Sequence, residues 1–228
     1  MDHLVVAFGG MSDVSFVQIP LAAFRCGAQE RRLPERNPEG MTAITDRVRP
    51  HIVLVGVAAV GKTTLGAAVA PKVGLPFYDN EQVMERRHGV TLEDLSRKPE
   101  NDEIIDRLLW ETYQELAAET KRTLIVASPR LLGRRDFWEL TRERAVTIHL
   151  RSTPLKVLRR DTALQTGVPL SQVSLSEADK AAYYYYYWWR LRHCQKANHE
   201  LRLQGDFEVD GARLAEFVGS VIATVSRR

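Results

Sequence analysis

Gly56-Val57-Ala58-Ala59-Val60-Gly61-Lys62-Thr63 spells G-x-x-x-x-G-K-[ST], and the segments on either side decide what that spacing means. Before it, His51-Ile52-Val53-Leu54-Val55 reads as a buried parallel strand; after it, Thr64-Leu65-Gly66-Ala67-Ala68-Val69-Ala70 is compatible with a helix. Strand, glycine-rich turn and helix, in that order, form the phosphate-cradling P-loop. The cradle so predicted takes in Gly56, Ala58, Ala59, Val60, Gly61, Lys62, Thr63 and Thr64. Backbone N–H groups at the helix start wrap a β-phosphate, and the helix dipole adds a favourable field. Lys62 is expected to reach the β/γ-phosphates and the Thr63 hydroxyl to ligate Mg²⁺. The expected ligand is a nucleoside triphosphate.

Composition narrows the rest. The chain has 228 residues, enough for one well-cored domain with an extension and short for two full domains. A formal net charge of +3 suits an anionic ligand without the clustered basic face that nucleic-acid binding needs. No apolar run approaches the roughly 18–20 residues that cross a bilayer. Cys26 and Cys194 lie far apart and outside metal-like spacing, which predicts reduced thiols and a cytoplasmic protein. Neither a nucleic-acid nor a membrane partner is expected.

Met1 to Phe8 lacks the basic n-region and cleavage site of a signal peptide, and Arg25 to Gly40 is rich in Arg, Glu, Pro and Gly without a period. Residues 1–45 are therefore expected to be a disordered extension, an over-extended gene start or a small partner-binding arm, and 46–228 the folded domain. Within that domain, strands are expected at Leu75–Asp79, Thr123–Ser128, Ala145–Leu150 and Glu200–Phe207. Helices are expected over 100–119, 154–160, 178–199 and 211–225, with Thr91 capping a short helix. The stretch 162–177 reads as a mobile loop. Alternating strands and helices imply a parallel sheet covered on both faces. Strand alternation is expected to put Asp79 and Glu81 on one face, at the sheet edge where ligands bind.

Gly56 to Thr64, Leu75-Pro76-Phe77-Tyr78-Asp79 and Gly89-Val90-Thr91-Leu92-Glu93-Asp94, at these spacings, resemble shikimate kinase over about residues 50 to 226. The resemblance implies a P-loop fold of nucleoside-monophosphate-kinase type, a three-layer α/β/α sandwich with a parallel sheet and a lid at about 162–177. It implies ATP and Mg²⁺ as cofactors and transfer of the γ-phosphoryl to a hydroxyl of a small molecule. Arg159-Arg160 fits the family's adenine-side helix, with Arg160 the residue carried forward as nucleotide-binding.

The departures point to a different acceptor. The family's D-x-D is Asp79-Asn80-Glu81; its glycine triplet after the third strand is Ser128-Pro129-Arg130; its Phe-Arg on the next helix is Ile104-Ile105-Asp106-Arg107; the lid arginine is Val168. Arg107, Arg130 and Arg190 (or Arg192) are the candidates left to hold a substrate, with Glu81 toward its hydroxyls. Losing bidentate arginine clamps and a charge-neutralising lid arginine should abolish useful turnover of shikimate. Asp79 is read as a Mg²⁺ organiser or base, or else as a helix N-cap. Glu81 is a hydroxyl ligand or a first-turn acid, and Arg130 an anion ligand or one surface arginine beside Arg134 and Arg135.

Three function classes stay open: a kinase with Lys62 and Asp79 as catalytic residues, acting on a cyclitol or hydroxy acid other than shikimate; a catalytically weak, ligand-sensing pseudokinase; and a nucleotide-switched assembly protein with the aromatic helix as its interface. The run Tyr183-Tyr184-Tyr185-Tyr186-Tyr187-Trp188-Trp189 cannot all face one core. Its surplus suggests a pocket or a dimer surface in a monomer or homodimer. His193 and His199 are read as ordinary helix residues.

Overall fold

The computed structural model describes residues 3–8, 15–20 and 50–226, with side chains from 50 to 224. The chain divides into two units, Met1–Thr45 and Asp46–Arg228. In the first, β1 (His3–Phe8) pairs antiparallel with β2 (Ser15–Pro20) in the register His3↔Pro20 to Phe8↔Ser15. The extension expected to be disordered thus contains a hairpin; its other residues lie outside the described ones.

The second unit is built on a five-stranded sheet in the order β4-β5-β3-β6-β7. The strands are β3 (His51–Val55), β4 (Phe77–Asp79), β5 (Leu124–Val126), β6 (Ala145–Arg151) and β7 (His199–Arg202). All pairings are parallel. Every residue of β3 is buried, as a strand covered on both faces requires. The strand period of two then divides its side chains between two cores. Ile52 and Leu54 join Leu124, Val126, Ile148 and Leu150 against one helical layer; Val53, Val55, Ile125 and Ala127 join the other.

The first layer contains α1 (Lys62–Val69), α6 (Pro154–Thr166), α7 (Glu177–Cys194) and α8 (Phe207–Ser226), contributing Leu65, Val69, Val157, Tyr187, Leu191 and Leu214. The second contains α2 (Asn80–His88), α4 (Asp102–Ala118) and α5 (Arg135–Arg144), with the short α3 (Leu92–Ser96) beside α4. On α4, Ile105, Leu109, Thr112 and Leu116 form the buried stripe that their spacing predicts, joined by Tyr113 and Ala117. This is the three-layer P-loop kinase sandwich expected from the sequence.

Several boundaries move. The loop expected over 162–177 is shorter, because α6 meets no breaker until Gly167, whose φ of 68° ends it. A 3₁₀ turn follows at Leu170–Gln172, and α7 starts at a full capping box of Ser176 and Asp179. Helix α7 stops at Cys194, so His199 belongs to β7, not to a helix, with its ring edge-on to Phe217 at 5.2 Å. The last strand ends at Arg202 and α8 begins at Phe207, earlier than expected. Helix α5 has no counterpart in the sequence reading: its three arginines mask an apolar face of Phe137, Trp138 and Thr141.

The aromatic run divides as helical geometry demands. Tyr183 and Tyr187 are buried, the latter donating to the Ser152 carbonyl at 2.5 Å, while Tyr184, Tyr185, Trp188 and Trp189 are exposed.

Candidate active site

Register brings three strand ends together. Leu54 lies beside Val126 and Val126 beside Asp79, so β3, β5 and β4 finish side by side. The chain continues from them into Gly56, Ala127-Ser128 and Asn80-Glu81 respectively, at the carboxyl edge where open α/β sheets bind ligands.

Gly56 holds the first turn against β6: a Cβ there would sit 2.8 Å from the Leu150 carbonyl oxygen. Gly61, at φ 106°, is the N-cap of α1. The first intrahelical bond runs from the Leu65 N–H to the Gly61 carbonyl at 2.9 Å. The N–H groups of Lys62, Thr63 and Thr64 are therefore without helical partners and face the loop, an arrangement that favours anions. Ala59 has φ 55°, the only non-glycine left-handed conformation among the described residues.

Lys62 is 6% exposed, and its ammonium donates to the Val57 carbonyl at 2.9 Å. Burial lowers its pKa, opposed by the nearby Glu81 and Asp79 carboxylates. A buried ammonium with two further protons to donate fits a polyphosphate. The Thr63 hydroxyl donates to Asp79 Oδ2 at 2.6 Å, and Asp79 Oδ1 accepts from the N–H groups of Glu81 (3.0 Å) and Gln82 (3.4 Å). Asp79 caps α2, as one of its two readings expects, and the same carboxylate faces Thr63. These two oxygen ligands, side by side at the mouth of an anion cradle, suit a hard divalent cation such as Mg²⁺.

Glu81 reaches the cavity by a different route from the one the sequence suggests. The strand ends at Asp79, and Glu81 occupies the first turn of α2, so helical rather than strand geometry places it. Its Oε1 accepts from the Ser128 hydroxyl at 2.7 Å, and burial raises its pKa. Ser128 escaped the sequence reading, which took only Arg130 of the Ser128-Pro129-Arg130 segment as a candidate ligand.

One cavity of about 610 Å³ joins these groups. The P-loop from Ala58 to Leu65 lines it together with Asp79 and Glu81, and Ala127 and Pro129 stand beside them. The opposite side carries Arg160, Ala163, Leu164, Leu170, Leu203 and Phe207. Arg160 donates to the Val60 carbonyl at 3.4 Å, whereas Arg159 is exposed. The loop bearing Leu203 and Gly205 is held by Asp210, which accepts from the N–H groups of Gln204 (2.7 Å) and Gly205 (2.8 Å). Apart from Arg160, these lining residues were not singled out in the sequence, since apolar side chains in an expected loop and a last strand carry no motif.

The substrate-side arginines do not converge. Arg107 is exposed on α4 and is not part of the cavity lining. Arg130 is bound by Asp106 (Nε to Oδ1, 2.6 Å) and Asp102 (Nη2 to Oδ1, 3.0 Å). Arg190 donates to the Pro129 carbonyl at 3.0 Å with its guanidinium carbon 4.7 Å from the Trp189 ring centroid. Arg192 is exposed.

Comparison with known proteins agrees with this geometry. The shikimate kinase family model matches residues 58–200. A shikimate kinase of Chlorobium limicola is 25% identical over 179 residues, 76% of this chain and 87% of that protein. One from Burkholderia thailandensis is 30% identical over 149 residues, 64% of this chain and 78% of its own. Among solved structures, shikimate kinase from Acinetobacter baumannii in complex with shikimate superposes with a TM-score of 0.63, at 22% identity, covering 77% of this chain and 93% of that one. The enzyme from Bacteroides thetaiotaomicron gives 0.61 at 22% identity, covering 74% and 98%. Because that family model spans more than half of the chain, and the fold superposes on those kinases, the chain belongs to the shikimate kinase family.

Proposed function

We propose that this protein transfers the γ-phosphoryl of Mg·ATP to a hydroxyl of a cyclitol-like acceptor other than shikimate. One observation carries the reading: the unpaired N–H groups of α1, the buried Lys62 and the Thr63–Asp79 pair meet at one end of a single cavity, and Glu81 stands at its acceptor end. Lys62 and the α1 N–H groups bind the β/γ-phosphates, Thr63 and Asp79 hold Mg²⁺, and Arg160 with the apolar wall beyond it receives the base. Bound Mg²⁺ would neutralise charge on the phosphate oxygens. In the transfer, the acceptor oxygen bonds to the γ-phosphorus as the bond from that phosphorus to the ADP oxygen breaks. The acceptor's proton leaves to a carboxylate, Asp79 or Glu81, at that end of the cavity.

Support for an acceptor other than shikimate comes from the same wall. Pro129 offers no N–H, Arg107 is exposed, Arg130 is engaged by two aspartates, and Ser128 is bonded to Glu81. The test is ADP formation from Mg·ATP against neutral, aminated and carboxylated cyclitols, with Lys62→Ala as control. Acceptor-dependent turnover that needs Lys62 supports the proposal. Mg·ATP binding without any acceptor-dependent ADP would favour the sensing protein instead.

A further inference from the structure

We infer that Asp102 and Asp106 are specificity-determining residues: they hold Arg130 away from the acceptor end of the cavity, and the acceptor of this enzyme carries no carboxylate. The inference rests on the kinase reading above and narrows it.

Asp102 and Asp106 stand four residues apart on α4 and so share one helix face. Two like charges at that spacing repel, and Arg130 resolves the repulsion by bonding both. Its Nε donates to Asp106 Oδ1 at 2.6 Å, and its Nη2 to Asp102 Oδ1 at 3.0 Å and to the Asp102 carbonyl at 3.4 Å. The Nε/Nη2 edge of the guanidinium, one of its two forked edges, is occupied by these two aspartates. Pro129, immediately before it, lines the cavity; Arg130 does not.

Among the described residues no other cation replaces it at that end. Arg190 lies outside the lining, bonded to the Pro129 carbonyl and stacked on Trp189. Lys62 belongs to the phosphate cradle. The acceptor end therefore presents Asp79 and Glu81, with Arg130 paired outside the lining and Lys62 facing the phosphates. A carboxylate entering there would lose hydration without gaining a cation, beside two carboxylates and a polyphosphate. A neutral hydroxyl, by contrast, can donate to those same oxygens.

Because the Arg130 pairs are partly exposed, with Asp102 and Asp106 side chains at 64% and 46%, breaking them should leave the fold intact. Shikimate and its methyl ester make a matched pair of probes that differ in charge at one position. Their binding to the full chain loaded with Mg²⁺ and a non-hydrolysable ATP analogue can be read by calorimetry. The wild type should bind the ester at least about ten-fold more tightly than the acid, a difference of about 1.4 kcal/mol. Asp102→Asn/Asp106→Asn should move that ratio toward the acid by about ten-fold, and adding Arg130→Gln should cancel the gain, as freeing and then removing a bidentate arginine requires. Unchanged affinity for the ATP analogue and an unchanged unfolding profile would show that the variants fold. A wild type that prefers the acid, or a ratio indifferent to the double substitution, overturns the inference. If no cyclitol, neutral or charged, binds the loaded chain, the kinase reading falls and the inference with it.

Discussion

The Thr63 hydroxyl donates to one oxygen of Asp79 at 2.6 Å while the other oxygen of that carboxylate caps α2. One side chain thus fastens the helix leading to Glu81 and faces the candidate metal ligand on the P-loop. Removing Asp79 altogether would conflate the two roles, since loss of an N-cap alone costs about 1 kcal/mol. Asp79→Asn separates them, because the amide oxygen still accepts from the Glu81 N–H but the charge is gone. We expect thermal unfolding close to wild type and a fall in Mg·ATP-dependent turnover of about a hundred-fold or more. Equal losses of stability in Asp79→Asn and Asp79→Ala, with turnover intact, would show that the cap is the residue's whole function.

Lys62 makes the free protein less stable than it could be. Burial lowers its folded pKa below the ordinary lysine value. The charged form is therefore penalised in the native state, and the penalty is relieved as pH rises through the lowered folded pKa toward the unfolded value. Lys62→Met should raise the stability of the nucleotide-free chain at pH 7 by about 1–2 kcal/mol and abolish nucleotide binding, a trade of stability against function. Chemical denaturation with and without Mg·ATP checks both halves. The stabilising effect should shrink as pH approaches 10.

Ala59 lies in the left-handed region at φ 55° within the P-loop. A side chain there costs about 1–2 kcal/mol relative to glycine's freedom, partly offset by the extra entropy glycine adds to the unfolded chain. Ala59→Gly should raise the melting temperature by about 1–4 °C. A lower melting temperature would mean that the Ala59 side chain contributes packing exceeding its strain.

Glu200 accepts from Arg202 at 3.1 Å and Arg151 at 3.3 Å, with His149 Nδ1 at 3.5 Å. The His149 contact leads in lowering its pKa from the ordinary 4.5 to about 2, with the arginines adding to it. The folded state holds this carboxylate ionised, so its contribution is present above pH 4.5 and is lost as pH falls toward 2. Glu200→Gln should lower the melting temperature at pH 7, and the gap to wild type should close below about pH 3. A gap that persists at low pH would assign the loss to packing between β6 and β7.

How far the sequence reveals the molecule depends on how local each feature is. The P-loop was legible to the residue because Gly56, Gly61, Lys62 and Thr63 act through backbone geometry within one turn. The stripe on α4 was legible through its period. Helix α5 was hidden because its arginines swamp the apolar face, and the end of α6 was misplaced because Thr162 to Thr166 lacks a breaker. Glu81 was named for the right neighbourhood on strand alternation, although the first turn of α2 is what brings it there. The substrate side resisted most: that Arg130 meets Asp102 and Asp106 is a contact across 24 to 28 positions. Nothing in the spacing of these residues announces it.

The central claim is phosphoryl transfer to an alcohol other than shikimate, and coupled ADP formation from Mg·ATP over a panel of neutral, aminated and carboxylated cyclitols tests it most directly. The account predicts turnover of a cyclitol other than shikimate that disappears in Lys62→Ala, with shikimate a poor acceptor. Efficient, Lys62-dependent turnover of shikimate would contradict it.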